Sequence, residues 1–152
     1  MKKYLFVFAL FMAAFGLTSC SSDDDFSYVG EFSEANIEEE LVGTWHVVKY
    51  YNYAIGLGEM DIDAGEITVA FTREGEMNVI NKRGEELSPF VTGTHKYRFV
   101  DIERSILTGK SKNVLSFDSD FTFYGYSFKE GMFMLSVEAI DGSGWALKKL
   151  AK

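Results

Sequence analysis

Few side chains in these 152 residues have types and spacings that could do chemistry. The histidines are His46 and His95. A transition-metal site wants nitrogen or sulfur ligands at short spacing, as in His-x-His or His-Glu-x-x-His, and neither pattern occurs. His46 follows Trp45 on a strand-like run, so it points to the opposite face. Both histidines are expected at a surface or rim. Asp61-Ile62-Asp63-Ala64-Gly65-Glu66 puts oxygen ligands at alternate positions, which suits calcium. An EF-hand would need a third acid at 65 and a Glu at 72, where Gly65 and Thr72 stand. A solvated acidic loop is the expectation. Gly109-Lys110-Ser111 copies the tail of a P-loop, but Arg104 occupies the place of its first glycine. Gly56-Leu57-Gly58 is too short for a dinucleotide fingerprint, and Gly142-Ser143-Gly144 lacks the flanks of a nucleophile elbow. No catalytic residue, metal or cofactor is assigned, and the chain is expected not to be an enzyme.

Cys20 is the only cysteine, so no intrachain disulfide can form. Its surroundings are informative. Met1-Lys2-Lys3 is positively charged, and Tyr4 to Leu17 is mostly apolar but too short to cross a bilayer comfortably. That is the pattern of a cleaved secretory signal. The run ends in Leu17-Thr18-Ser19-Cys20, which resembles the lipobox of bacterial lipoproteins. The resemblance implies diacylglycerol on the Cys20 sulfur, cleavage before it, and acylation of the new amino group by a chain such as palmitate. Two or three acyl chains would hold firmly, since each buried methylene contributes about 0.8 kcal/mol. The run Ser21, Ser22, Asp23, Asp24, Asp25 reads as a solvated tether. It also resembles the acidic export signal of Bacteroidota surface lipoproteins, which implies an outer-membrane anchor displayed at the cell surface. The periplasmic face is the alternative.

Without residues 1–19 the chain has 13 basic and 23 acidic residues, a net charge of -10. Such a chain is a poor nucleic-acid binder, because phosphate contacts need a basic face. The remainder suits one domain. Of the chain's 14 phenylalanines, ten lie after residue 19, and they offer ample apolar surface for a core.

The elements that must position these groups are mostly short strands. Residues 33–41 predict a helix, with Ser33 as cap, Glu34 in its first turn, and Ile37 and Leu41 on one face. Strands are expected over 44–52, 66–72, 76–81, 95–100, 113–117, 121–129, 132–139 and 145–150. In 66–72, Ile67, Val69 and Phe71 alternate with Thr68, Ala70 and Thr72. Residues 53–64 and 82–93 are expected as long loops, the second holding Pro89, the only proline. About eight regularly spaced short strands predict an all-β domain. The expectation is an antiparallel up-and-down barrel with a short N-terminal helix, or else a β-sandwich.

Leu41-Val42-Gly43-Thr44-Trp45, placed after a short helix and opening the first strand, resembles the Gly-x-Trp signature of lipocalins. The resemblance covers roughly 41–150 by strand count. It implies that Gly43 and Trp45 close one end of an eight-stranded cup. It also implies that a basic residue of the last strand, Lys148 or Lys149, sits over the Trp45 ring. Lys148 is the first choice. The chain thus divides into a signal peptide (1–19), an anchor with tether and helix (20–40), and a lipocalin-like barrel (41–152).

Two functions follow as expectations. The barrel binds a small hydrophobic or amphipathic ligand at the envelope, with ligand residues unassigned. Alternatively, Tyr97, Phe99, Phe117, Phe121, Phe123, Tyr124, Phe128 and Phe133 fill it. The loops, with Tyr50, Tyr51 and Tyr53 nearby, would then contact a protein or glycan partner.

Overall fold

A computed structural model describes residues 26–32, 36–52, 58–85, 87–103, 112–118, 122–137 and 142–151. Cys20, the tether 21–25, Ser33, Glu34, Tyr53, Gly56, residues 109–111 and Phe121 lie outside them. A short helix, α1, covers Ile37–Leu41. The strands are β1 Gly43–Asn52, β2 Gly58–Asp61, β3 Ile67–Phe71, β4 Glu76–Asn81, β5 Gly93–Ile102, β6 Lys112–Phe117, β7 Phe123–Lys129, β8 Met132–Val137 and β9 Ser143–Lys149.

These strands make one antiparallel sheet in the order β2-β1-β3-β4-β5-β6-β7-β8-β9, and β9 returns to pair with β1. Eight strands therefore close into an up-and-down barrel, the lipocalin-like architecture expected, and a two-sheet sandwich is excluded. Closure removes the exposed edges that would template aggregation. The ninth strand, β2, overturns the reading of 53–64 as loop throughout. It pairs with the second half of β1, Lys49 opposite Asp61 through Asn52 opposite Gly58. The first half of β1 pairs with β3, Gly43 opposite Phe71 through His46 opposite Thr68. Thus β2 and β3 together form one interrupted strand along that side of β1.

Alternation decides what faces inward. In β3, Ile67, Val69 and Phe71 are buried, while Thr68 and Ala70 are half-buried outside. In β1 the alternation changes phase. A bulge lies between Val47 and Lys49, where the β9 partner steps only from Leu147 to Ala146. One extra residue re-aims everything after it. Trp45 and Val47 face inward before the bulge, and Tyr50 packs on the core after it. The inner wall is aromatic, with Tyr97, Phe99, Phe117, Tyr124, Tyr126, Phe128 and Phe133 in or against the core. Phe123 departs from the expected set, because Tyr124 takes the inward position.

Candidate functional site

One end of the barrel is sealed by the motif region. Trp45 is fully buried, and its indole N–H donates to the Leu41 carbonyl at the end of α1, 2.8 Å away. Phe32, ahead of the helix, stacks on Trp45 with centroids 5.3 Å apart and on Phe128 at 4.7 Å. The cation over Trp45 is Lys149, with Nζ 5.4 Å from the ring centroid. Its Nζ also donates to the Glu40 carbonyl, 2.5 Å away. Lys148, the first choice from the sequence, stands instead over Tyr28 at 5.5 Å. Strand alternation sets this choice. His46 pairs with Lys148 on the outer face, and Trp45 pairs with Lys149 on the inner one. Gly43 has φ +138°, and a Cβ there would come 2.9 Å from Lys149 Cε. The positive φ calls for glycine, and a side chain there would also displace the end of Lys149 from its place over Trp45.

His46 is not a rim histidine. It lies on the outer face, as alternation predicts, yet is only 3% exposed. A strap formed by residues 26–29 covers it. Phe26 meets the imidazole edge-on at 4.4 Å, and Tyr28 Oη lies 3.1 Å from Nδ1. The strap pairs with the chain end: the Val29 N–H donates to the Lys149 carbonyl and the Ala151 N–H to the Ser27 carbonyl. Burial lowers the His46 pKa, and the charge of Lys82 adds to this. His95 does stand at the rim. Its Nδ1 is 2.5 Å from Asp118 Oδ2, and its Nε2 is 2.7 Å from the Val91 carbonyl. Burial opposes its protonation, but the bonds to Asp118 and Val91 carry its pKa above the ordinary value.

Two of the acids in the segment weighed for calcium pair with cations. Asp61 pairs with Lys49 at 3.5 Å and Glu66 with Arg83 at 2.7 Å. Among the described residues no group of three or more His, Cys, Asp or Glu gathers as a cation site. Outside the barrel, a cleft of about 380 Å³ runs past Glu74, Glu76, Lys96 and Asp118. Its lining mixes both charges and singles out no ligand.

The end opposite Trp45 holds the groups that sequence reasoning missed. Trp145, on β9, is 3% exposed. It packs against Tyr50 at 5.5 Å, Tyr124 at 6.0 Å and Phe90 at 5.9 Å. Its buried indole N–H finds no acceptor among the described residues. Close by, Asn52 Nδ2 donates to the Tyr50 hydroxyl at 2.7 Å. Phe90 comes from the 82–92 connection, not from a strand, and is fully buried. Asn81 folds that connection inward: its Nδ2 donates to the carbonyls of Glu85 and Phe90, at 2.9 and 3.0 Å. Tyr124 reaches Ser88 through a side-chain hydrogen bond. The signal available in the sequence was the alternation of Trp145 with Leu147; a loop phenylalanine carries none.

Donors, hydroxyls and ring faces gathered at one end of the barrel can bind. No nucleophile paired with a base is among them. No protein-family model matches the chain, and comparison with curated proteins finds no match.

Proposed function

We propose that the protein is a lipid-anchored envelope lipoprotein whose barrel binds a small amphipathic ligand at the end opposite Trp45. The observation that carries the binding half is the Trp145 indole N–H, buried without an acceptor. A buried donor left unmade costs about 1–3 kcal/mol, so an acceptor brought by a ligand would recover that loss. Tyr50, Phe90 and Tyr124 supply apolar ring faces around it. The ligand class is therefore apolar and flat, with an oxygen acceptor. The closed barrel supports this reading, since small barrels often hold one ligand.

The anchoring half rests on the lipobox-like Leu17-Thr18-Ser19-Cys20 and the acidic run after it, with the cell surface as the address. Native mass spectrometry of the full chain purified from membranes tests both halves. A mass increment for acyl chains on Cys20 is expected, together with a non-covalent small molecule that Trp145→Phe loses. A chain without either, and without saturable binding of any amphipathic probe, contradicts the proposal.

One observation favours a second reading, a filled barrel that contacts a partner. Ile80 is 57% exposed on the outer face, opposite Thr68 and two residues along β4 from Asn78, which pairs with Thr94. Ile80→Lys would abolish such a contact and leave small-molecule binding untouched.

A further inference from the structure

We infer that residues 87–92 form a lid, with Phe90 as a plug that must leave the barrel before a ligand can reach Trp145. This rests on the ligand-binding reading above and adds how that site is entered.

Among the described residues, every other ring beside Trp145 is fixed. Tyr50 and Tyr124 belong to β1 and β7, and the backbone of each is paired on the ladder. Such side chains can change rotamer, but their backbones cannot leave. Phe90 sits on a connection between β4 and β5. The bridge described there, Leu87 with Phe90, is internal to the segment. The Phe90 N–H donates to the Leu87 carbonyl at 2.6 Å, so the segment can move as one unit.

Side chains hold that unit to the barrel. Asn81 binds the Phe90 carbonyl, Tyr124 binds Ser88, and His95 Nε2 binds the Val91 carbonyl. Thr92 Oγ1 accepts from the Asn81 N–H at 2.9 Å. These are latches, which can open without breaking a strand pair. Short stretches tied by a few polar contacts belong to the low-stability end of a structure.

The plug is also an imperfect occupant. The Phe90 ring meets Trp145 nearly perpendicular, at 86°. It supplies apolar surface but has no oxygen for the indole N–H. A flat ligand with a carbonyl or carboxylate would replace the ring and add the missing acceptor. The exchange then favours the ligand, and the closed lid excludes water in its absence.

The test uses the full chain in detergent and 2-naphthoate, a flat apolar carboxylate. Calorimetry gives affinity, and stopped-flow tryptophan fluorescence gives rate. In the wild type the observed rate should level off as ligand concentration rises, because lid opening becomes limiting. Phe90→Ala should remove the plateau. His95→Gln, which keeps the plug and the core intact, should raise it severalfold. Binding by the variants but not by the wild type would equally support the lid. Rates linear in ligand and equal in all three chains, with affinity retained, would overturn the lid and leave the site standing. Absence of binding in all three would overturn the site reading and the lid with it. Should Phe90→Ala fail to fold, the plateau and its response to His95→Gln decide alone.

Discussion

Lys149 lays its charge over the Trp45 ring and gives an N–H to the Glu40 carbonyl, so truncating it uncovers both. Lys149→Ala should cost about 2–5 kcal/mol, the sum of a cation–π contact and a charged hydrogen bond. Lys148→Ala loses only the outer contact with Tyr28 and should cost under about 1 kcal/mol. Urea unfolding of the two variants checks the order, and a larger loss for Lys148 would contradict the geometry. The histidines give a second prediction. His46 has a lowered pKa. As pH falls below about 6.5, the unfolded chain takes its proton first, and stability is lost. His95 has a raised pKa. Its contribution is complete below about 6.5 and is lost as pH rises through the raised value. The Asp118 pKa is lowered: burial works against this, and the Lys96 N–H and His95 outweigh it. Its contribution fades as pH falls through the carboxylate range. His46→Gln should therefore flatten the limb of a stability–pH curve on the acid side of about 6.5, and His95→Gln the limb on the alkaline side of it. Chemical unfolding across pH 5–9 measures both, and slopes of the same sign would refute the assignment.

Elements differ in how much of themselves the sequence discloses. Those with a clean period of two were legible: β3 and β4 fall within a residue of their expected bounds, because one face is buried and the other is not. β2 was not legible, since Gly58-Glu59-Met60-Asp61 has no apolar alternation and gains its order by pairing with β1. The β1 bulge was hidden too, because an extra residue changes phase without changing composition. The strap at 26–29 is too short to show a period, and it buried a histidine that the pattern placed at the surface. At the candidate site, the alternation of Trp145 with Leu147 was a signal that could have placed Trp145, while nothing in the sequence marked Phe90, whose burial depends on Asn81 folding the loop inward. The segment before α1 is open to a direct test. Phe32 is only partly buried, yet it stacks on both Trp45 and Phe128. Phe32→Ala should cost about 2–3 kcal/mol, at or below the low end for a buried phenylalanine. Phe123→Ala, on the outer face of β7, should cost much less. Thermal melts that rank them the other way would mean that the sealed end is not closed by this segment.

At the scale of the whole molecule, the strap links the barrel to its proposed anchor. Five residues, Ser21 to Asp25, separate Cys20 from Phe26. Fully extended, the link spans about 20 Å at roughly 3.3–3.6 Å per residue. Phe26 lies against the outer wall beside His46, with Cζ 3.6 Å from where a Gly65 Cβ would stand. A lipid on Cys20 would therefore tether the barrel by its side, not by either end. The β1–β3 wall, with the turn at 62–66, would lie nearest the bilayer. β7 lies halfway round the eight-stranded ring from β3, so Ser127, exposed on it, would face away. A fluorophore placed at Asp63→Cys should be quenched by a headgroup-borne quencher in reconstituted vesicles more strongly than one at Ser127→Cys. Cys20→Ala should release the chain from the membrane fraction and remove the difference. Equal quenching at the two positions would show that the strap detaches on the membrane. Persistence of the difference without Cys20 would mean that the wall itself binds lipid.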